Sequence, residues 1–286
     1  LLEAVGVDAD MMGTPLDPSS ALPIGDTPLA KEFPQLAEAV WVPVIGDGLS
    51  ANMGIGAYGS STWGISTATS GAIRQLVSGT TPTLPGGLWA YRMDADRTLV
   101  GSAMSDCGRV LDWCRNQLQL PPQIEAIEAS DVFTTAPSSG TPLVIPFLSG
   151  ERGTKWRDSS RAMMANVSAS TTSQDILRGA LEGVALSFLR IADQLKEMGG
   201  EPEQIFLSGG MTGAIPSWLH LLSDALGAPI DHVAVSRSTM RGSAVLALEQ
   251  AAPGVAPDPV PVRERVEPVA AHADYYRERL ERFEKL

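Results

Sequence analysis

Asp47 is the residue of this sequence best placed for acid–base chemistry. It lies in the segment VIGDGLSANMGIG, where the apolar run Val40–Ile45 is predicted as a strand that ends at a glycine turn. A carboxylate fixed at such a turn could take a proton from a hydroxyl group or hold a metal-bound phosphate. An aspartate that only caps the following helix is the structural alternative, and this segment alone does not separate the two.

Two further turns combine glycine with hydroxyl groups or open backbone. The segment Thr67–Gly71 ends a predicted strand around Ile65–Thr69, and its hydroxyls and N–H groups suit phosphate oxygens in a chain that has no P-loop lysine. In Ser208–Met211, the missing Cβ atoms would let a flat ligand such as adenine approach the backbone. A hairpin turn and an ordinary strand-to-helix turn are the structural alternatives.

Gly54, Gly56 and Gly59 spell GxGxxG, the glycine pattern of dinucleotide-binding folds. That pattern needs a strand directly before it and an acidic residue about 20 positions after it, and neither is present. We therefore interpret these glycines as small residues on a packed helix. The sequence also lacks a P-loop and a GxSxG nucleophile turn.

The elements that must position these turns alternate between strand-like and helix-like runs, which is typical of an α/β domain. Leu88–Met93 and Thr98–Ala103 are predicted as a hairpin, and Leu143–Leu148 as a further buried strand. The strongest helix is predicted over residues 173–198, with an apolar stripe along one face and a capping box at Thr172–Asp175.

Two shorter strand–turn–helix units are predicted after that helix. Ile205–Leu207 leads into a helix that ends at Gly227, and Val233–Val235 leads into a helix that starts near Arg241. Residues 253–262 are rich in proline and predict a linker, and residues 267–286 predict a terminal helix.

The bulk properties exclude several classes of function. The 286 residues carry a net charge of -12, which opposes binding to nucleic acid or to an anionic membrane. No apolar stretch is long enough to cross a bilayer and no basic region marks a signal peptide, so we expect a cytoplasmic protein. Cys107 and Cys114 match no zinc or redox spacing and the histidines are scattered. We therefore expect no protein-built metal site.

Taken in order, the segments of this chain resemble the C-terminal lobe of the FGGY carbohydrate kinases, most closely the gluconokinase-like branch. The resemblance rests on GDG, TSGAIR, LWAYRMD, GER with Trp156 and Arg161, ALEGVA, LSGGM with SWLHLLSDALG, and RGSAVLAL. It implies an α/β domain of the ribonuclease H-like, actin-like ATPase fold. Such a domain has a mixed sheet flanked by helices and binds ATP and Mg²⁺.

The resemblance also implies roles for individual residues. Asp47 matches the family's catalytic base, which deprotonates a sugar hydroxyl. Seven residues match positions at the nucleotide, namely Thr69, Ser70, Gly71, Gly108, Gly209, Gly210 and Met211. The implied function is ATP-dependent phosphorylation of a sugar or sugar acid, with gluconate favoured because TSGAIR resembles that branch. Arg74 is the cation beside the pocket, and a surface arginine at a strand end is its alternative.

The family's first lobe should precede residue 1, so we expect this chain to be inactive alone. Residues 1–40 are interpreted as the tail of the missing N-terminal lobe and the crossover. Residues 41–252 are interpreted as the nucleotide-binding lobe, and residues 253–286 as a linker and terminal helix. Whether two copies form a homodimer stays open.

Several residues depart from the family's pattern. Ala68 and Asn166 stand where the family has glycine, Gly179 where it has alanine, and His220 where it has glutamine. GER is followed by Gly153 and two polar residues rather than by proline. These departures support a second hypothesis, a non-catalytic actin-fold lobe that binds a nucleotide or a partner protein.

Overall fold

The computed structural model describes residues 2–13, 16–17, 20, 24–25, 27–79 and 83–286. Strands in these residues are β1 (Thr62–Thr67), β2 (Gly71–Ser78), β3 (Trp89–Arg92), β4 (Arg97–Met104), β5 (Leu143–Ile145), β6 (Met163–Ala165), β7 (Gln204–Ser208), β8 (Ile230–Val233) and β9 (Val262–Val266). The α-helices are α1 (Pro28–Glu32), α2 (Asp47–Gly54), α3 (Gly108–Gln117), α4 (Ile124–Glu128), α5 (Asp131–Thr134), α6 (Ser173–Gly199), α7 (Gly210–Ala214), α8 (Trp218–Leu226), α9 (Ser238–Ala251) and α10 (Ala273–Lys285).

Seven of these strands form one mixed sheet in the order β3-β4-β2-β1-β7-β8-β9. The pairs β3–β4, β4–β2, β2–β1 and β8–β9 are antiparallel, whereas β1–β7 and β7–β8 are parallel. Because β1 and β7 are parallel and Ser66 pairs with Ser208, both strands end at the same edge of the sheet. The loops that follow them are therefore neighbours, which is where α/β sheets commonly bind ligands.

Alternate residues of the central strands face two different helical layers. Trp63, Ile65 and Ile73 are buried in the larger core with α3, α6 and α8. Leu76 points the other way and packs with Met53 of α2 in a smaller core that also receives α9. This two-sided burial follows from the side-chain alternation of a strand, and it confirms the predicted mixed sheet flanked by helices.

Helix α6 forms where the sequence predicts it. The Thr172 hydroxyl accepts the N–H of Asp175, and the Asp175 carboxylate accepts the N–H of Thr172 at 2.8 Å, which completes the capping box. The helix is buried along most of its length. None of the helices in the described part of the chain has both the length and the apolar character that a bilayer crossing requires.

The last elements of the chain return to the sheet and to α6. Strand β9, which the sequence analysis did not predict, pairs with β8, and α10 buries Tyr276 and Phe283 in the larger core. The fully buried carboxylate of Glu182 on α6 pairs with Arg178 on its own helix and with Arg279 of α10, each at 2.9 Å. The Tyr275 hydroxyl donates to the same carboxylate at 2.8 Å. Because a buried charge is costly without partners, these contacts fix α10 on α6.

Helices α2 and α9 cross in backbone contact. A Cβ atom added to Gly54 would lie 1.7 Å from the carbonyl oxygen of Ser238, and one added to Gly242 would lie 1.6 Å from that of Ser50. Only glycine fits at either position. The interpretation of these glycines as small residues on a packed helix is therefore confirmed for Gly54. It is wrong for Gly56 and Gly59, which lie in the turn after α2 ends.

The strand predicted over Val40–Ile45 is wrong. The structure has one bridge residue at Trp41 and irregular backbone up to Gly46. Pro43 has no N–H to donate to a sheet, and the Val44 side chain is 100% exposed. Asp47 is therefore positioned by a loop and by the start of α2, not by the end of a strand.

Two further strand predictions are right in place but wrong in extent. Of Leu143–Leu148 only the first three residues are extended, and they pair with β6 in a separate two-stranded sheet. Strand β8 ends at Val233 rather than beginning there. The hairpin of β3 and β4 and the helix end at Gly227 are as predicted, since Gly227 adopts φ 64° and donates to Ser223.

Candidate functional site

The turn between β1 and β2 is exposed and is fixed from beneath by the start of α3. The N–H groups of Cys107 and Arg109 donate to the Thr69 carbonyl at 3.0 and 3.2 Å. Among the described residues, the N–H and hydroxyl groups of Thr69 and Ser70 have no hydrogen-bond partner. The turn thus presents free donors on a rigid base, which is the arrangement that phosphate oxygens require.

Three of the glycines predicted at this site are required by close contacts within the chain. A Cβ on Gly108 would lie 2.7 Å from the Ala68 carbonyl oxygen, and one on Gly71 would lie 2.8 Å from the ring of Phe188. Gly209 has φ 147°, and a Cβ there would lie 1.9 Å from the carbonyl oxygen of Thr67. These contacts bring the β1–β2 turn, the start of α3 and the loop after β7 together.

Gly210 differs from these three glycines. It is exposed, and no atom of the described chain lies within 4 Å of the position that a Cβ would take. Packing therefore does not require glycine at this position, and the backbone is open to a flat ligand. The neighbouring Met211 is buried, with its sulfur 3.5 Å from the sulfur of Cys107, so its side chain anchors the loop to α3.

A series of contacts between polar side chains supports the loop after β7. The Thr212 hydroxyl donates to the Gly209 carbonyl at 2.9 Å and lies 3.5 Å from Nε2 of His232. Nδ1 of His232 lies 3.1 Å from the Glu264 carboxylate on β9. The edge strand β9 is thereby connected to the backbone at the candidate nucleotide site.

Asp47 is the first residue of α2, and Gly46 takes the N-cap position. The Asp47 carboxylate accepts the N–H of Gly48 at 2.7 Å, and its second oxygen has no partner within the described residues. The side chain is exposed and lines a cavity of ≈ 410 Å³. A carboxylate in this position is open to a substrate rather than fully engaged in capping the helix.

Asp47 lies at the same end of the sheet as the seven predicted nucleotide residues, but none of the seven lines the Asp47 cavity. Its neighbour Arg74 donates from Nη1 to the Ser66 hydroxyl at 3.2 Å, one residue before β1 ends. Arg74 is on the α2 side of the sheet, whereas Gly71 and Met211 pack towards α6. The structure therefore brings the seven residues together and places Asp47 beside them.

The cavity has an aromatic and a cationic wall. The rings of Trp89 and Tyr91 on β3 lie 4.5 Å apart, and the Arg74 guanidinium lies 6.0 Å from the Trp89 ring. Arg152 lines the cavity from the loop after β5. Burial lowers the pKa of Arg74, Arg152 lowers it further, and Asp47 opposes the shift.

The sequence analysis assigned a role to Arg74 but none to Arg152, Trp89 or Tyr91. Arg152 lies in the segment GER, and Trp89 and Tyr91 lie in the segment LWAYRMD. Both segments served only as evidence for the family resemblance. Neither segment shows by itself that its side chains reach Asp47.

The residues of the β1–β2 turn and of the loop after β7 suit a nucleotide better than an isolated metal ion. No cluster of three or more His, Cys, Asp or Glu side chains that could bind a metal occurs in the described ranges. Free N–H groups at Thr69 and Ser70 and the open backbone at Gly210 fit the phosphates and the base of ATP. A Mg²⁺ ion would take most of its ligands from phosphate and water, as this ion commonly does.

The departures from the family's pattern are accommodated by the fold. Asn166 adopts φ 64°, a left-handed conformation that asparagine tolerates better than most residues, and its side chain donates to the Ser139 carbonyl at 3.0 Å. Gly179 is required, because a Cβ would lie 2.3 Å from the Pro142 carbonyl oxygen. Ala68 and His220 are both exposed.

Comparison with known proteins gives one consistent family. Residues 61–251 match the C-terminal domain of the FGGY family of carbohydrate kinases. The chain is 26% identical over 213 residues to gluconokinase from Bacillus subtilis (strain 168), covering 71% of this chain. It is 27% identical over 163 residues to glycerol kinase from Myxococcus xanthus (strain DK1622), covering 56% of this chain.

A solved structure shares the fold over nearly the whole chain. The crystal structure of gluconate kinase from Lactobacillus acidophilus superimposes with a TM-score of 0.84 at 20% identity, covering 99% of this chain and 58% of that one. The chain spans 41% of the length of the Bacillus subtilis relative and 30% of the Myxococcus xanthus relative.

Proposed function

Because the chain belongs to the FGGY family of carbohydrate kinases, we propose that it is the nucleotide-binding lobe of an enzyme that transfers a phosphoryl group from ATP to a sugar or sugar acid. The observation that carries this proposal is the Asp47 carboxylate, which opens on a cavity beside a turn of free backbone donors. A preceding lobe would complete the sugar pocket. The reaction is proposed to take place in the cytoplasm.

In the proposed mechanism, Asp47 accepts the proton of the substrate hydroxyl that attacks the phosphoryl group. Thr69 and Ser70 donate N–H groups to phosphate oxygens, and Gly210 lets the adenine lie against the backbone. When bound, ATP would supply the phosphoryl group and leave as ADP, and Mg²⁺ would neutralise charge on the phosphate oxygens. Phosphoryl transfer depends mostly on positioning and charge stabilisation, so the rigid base beneath both loops is part of the mechanism.

Gluconate is the favoured substrate in this proposal. The segment TSGAIR, which contains Arg74, resembles the gluconokinase-like branch, and a gluconokinase is among the relatives. The Arg74 guanidinium lies in the cavity that Asp47 lines.

The substitution Asp47→Asn in the two-lobe kinase tests the proposal. Asparagine keeps the size of the side chain and removes the proton acceptor, so it should act on the transition state rather than on ground-state binding. We expect kcat to fall by ~10² to 10⁴, equivalent to about 3 to 5.5 kcal/mol, with KM for both substrates nearly unchanged. Steady-state kinetics with ATP and gluconate measure this.

The melting temperature of the same variant is the control. Asn is nearly as good as Asp near a helix start, so the folded state should be retained. An unchanged kcat would return Asp47 to its alternative role as a helix cap, whereas the absence of turnover in the unsubstituted two-lobe protein would favour the second hypothesis, a non-catalytic lobe that binds a nucleotide or a partner protein.

A further inference from the structure

The Asp47 cavity is positively charged in a chain that is strongly acidic. Arg74, Arg92 and Arg152 line it, and Asp47 is the one carboxylate among the described residues of its lining, whereas the chain as a whole carries a net charge of -12. A concave site of one sign focuses its potential and selects ligands of the opposite sign. The charge of this cavity therefore points to an anionic ligand.

Arg152 is held at the cavity by a loop in unusual backbone conformations. Thr154 has φ 30° and Trp156 has φ 52°, both in the region that side chains seldom occupy. Gly153 has φ 146°, and a Cβ there would lie 2.8 Å from the Ala103 carbonyl oxygen. Strained backbone of this kind persists where surrounding contacts enforce it, and it clusters at ligand-binding sites.

Arg74 and Arg152 both have N–H groups that make no hydrogen bond within the described residues. Nε of Arg74 is buried without a hydrogen-bond partner, and no partner of the Arg152 side chain occurs in the described ranges. The buried arginines elsewhere behave differently, since Arg178 and Arg190 each form an ion pair at 2.9 Å with a buried glutamate. A buried donor without a partner is costly unless a ligand satisfies it.

We propose that Arg74 and Arg152 bind the carboxylate of the substrate, so that this kinase selects acidic sugars over neutral ones. A planar carboxylate accepts paired hydrogen bonds from guanidinium groups, and Trp89 and Tyr91 offer flat faces to the carbon chain. The inference rests on the proposed function and deepens it, because it assigns substrate specificity to two residues, Arg74 and Arg152, outside the phosphate and adenine contacts.

Binding of gluconate and sorbitol to the chain, without ATP, is the test. The two compounds share their carbon skeleton and most hydroxyl groups, and differ in whether one end is a carboxylate or an alcohol. NMR titration of the Trp89 and Tyr91 ring signals reports on the cavity directly. At about 10 mM, where a millimolar site is mostly filled, we expect a saturating signal with gluconate and little with sorbitol.

Arg152→Gln is the informative variant because Arg152 is exposed and its replacement leaves the core intact. It should weaken gluconate binding by about tenfold or more and leave sorbitol unchanged. Arg157→Gln makes the same charge change in the same loop, at an exposed residue outside the cavity, and should alter neither. Arg152→Lys keeps the charge without the paired geometry and should restore binding only in part.

Three outcomes would overturn the assignment. These are no gluconate signal at that concentration, an equal effect of Arg152→Gln on gluconate and sorbitol, or inorganic phosphate that competes as well as gluconate does. Failure of the kinase proposal looks different, because gluconate would still bind through Arg152 while the two-lobe protein transferred no phosphate from ATP to any sugar.

Discussion

Glycine serves two purposes at the candidate nucleotide site. Gly71, Gly108 and Gly209 are needed because neighbouring atoms leave no room for a methyl group. Gly210 has open space beside it, so its lack of a side chain matters only to something that approaches from outside the described chain. A methyl group added at Gly210 should therefore affect ligand binding without disturbing the fold.

Gly210→Ala should fold normally and bind ATP more weakly. Alanine is more stable than glycine in a helix by roughly 0.5 to 1 kcal/mol, and the methyl group meets no atom of the chain. An adenine that lies against this backbone would be displaced, with a loss of about tenfold in affinity for misfit of one methyl group. Isothermal titration with ATP and thermal melting measure the two effects.

Gly213→Ala is the matched control for that variant. Gly213 is in the same helix, is equally exposed and also has no atom within 4 Å of a Cβ position. It should gain the same stability and keep ATP affinity. If both variants bound ATP as the parent chain does, adenine would lie elsewhere.

The glycine turns and Asp47 could be predicted as site residues from the sequence, because glycine and hydroxyl residues at a turn indicate an accessible backbone. Which of these glycines are packed and which are free could not be predicted, since this depends on contacts such as that of Gly209 with Thr67. Arg152 could not be assigned at all. It lies in a loop in which Thr154 and Trp156 have positive φ angles, and no local sequence pattern indicates this conformation.

At the scale of elements, the crossing of α2 and α9 sets the position of Asp47. Gly54 and Gly242 let the two helix backbones touch, and Arg241 adds a hydrogen bond of 3.0 Å to the Gly54 carbonyl. Since Asp47 begins α2, a change in this crossing is transmitted to the candidate base.

Gly242→Ala should therefore destabilise the chain and impair catalysis together. The new methyl group would lie 1.6 Å from the Ser50 carbonyl oxygen, which is backbone and cannot rotate away. We expect a loss of about 3 kcal/mol in the free energy of unfolding, at the upper end of typical overpacking costs. Urea unfolding measures it, and Gly213→Ala again serves as the control, since that glycine-to-alanine change should be neutral or stabilising.

Elements with strong local signals were predicted, and elements that depend on distant partners were not. Helix α6 has a capping box and a long apolar face, both legible in the sequence. The run Val40–Ile45 is as apolar as a strand, but Pro43 has no N–H to donate to a sheet, and within the described residues only Trp41 of this run forms a bridge. Strand β9 has three consecutive charged residues of alternating sign and follows a proline-rich stretch. Its extended conformation is explained by its backbone pairing with the edge of β8.

At the scale of the whole molecule, buried acids make the fold sensitive to alkaline pH. Burial raises the pKa of the Cys107 and Cys114 thiols to about 12, and at Cys107 a hydrogen bond with the Gly108 backbone acts in the opposite direction. Burial also raises the pKa of Tyr275 and Tyr276. These groups stay protonated in the folded chain when their unfolded counterparts have already ionised.

The free energy of unfolding should therefore fall as pH rises. The unfolded thiols lose their protons near pH ~8.5, so above that value the unfolded state binds fewer protons than the folded state. The stabilisation is complete below this pH and is lost as pH rises towards 12, by about 2 kcal/mol per thiol at pH ~10. Thermal melting between pH ~7.5 and ~10 measures the slope.

The double variant Cys107→Ala/Cys114→Ala isolates the thiol contribution. It should start from a lower stability, because two buried side chains become smaller, and should then lose less between the two pH values. An equal slope in both proteins would assign the alkaline sensitivity to other groups, with the two tyrosines next in order.

The return of β9 and α10 to the sheet has a consequence for biosynthesis. A ribosome delivers α6 long before it delivers Arg279 and Tyr275, so the Glu182 carboxylate must wait for two of its three partners. His232 likewise waits for Glu264. The nascent lobe therefore cannot close its core progressively from its beginning. It should stay sensitive to proteases until α10 has left the exit tunnel and can reach α6.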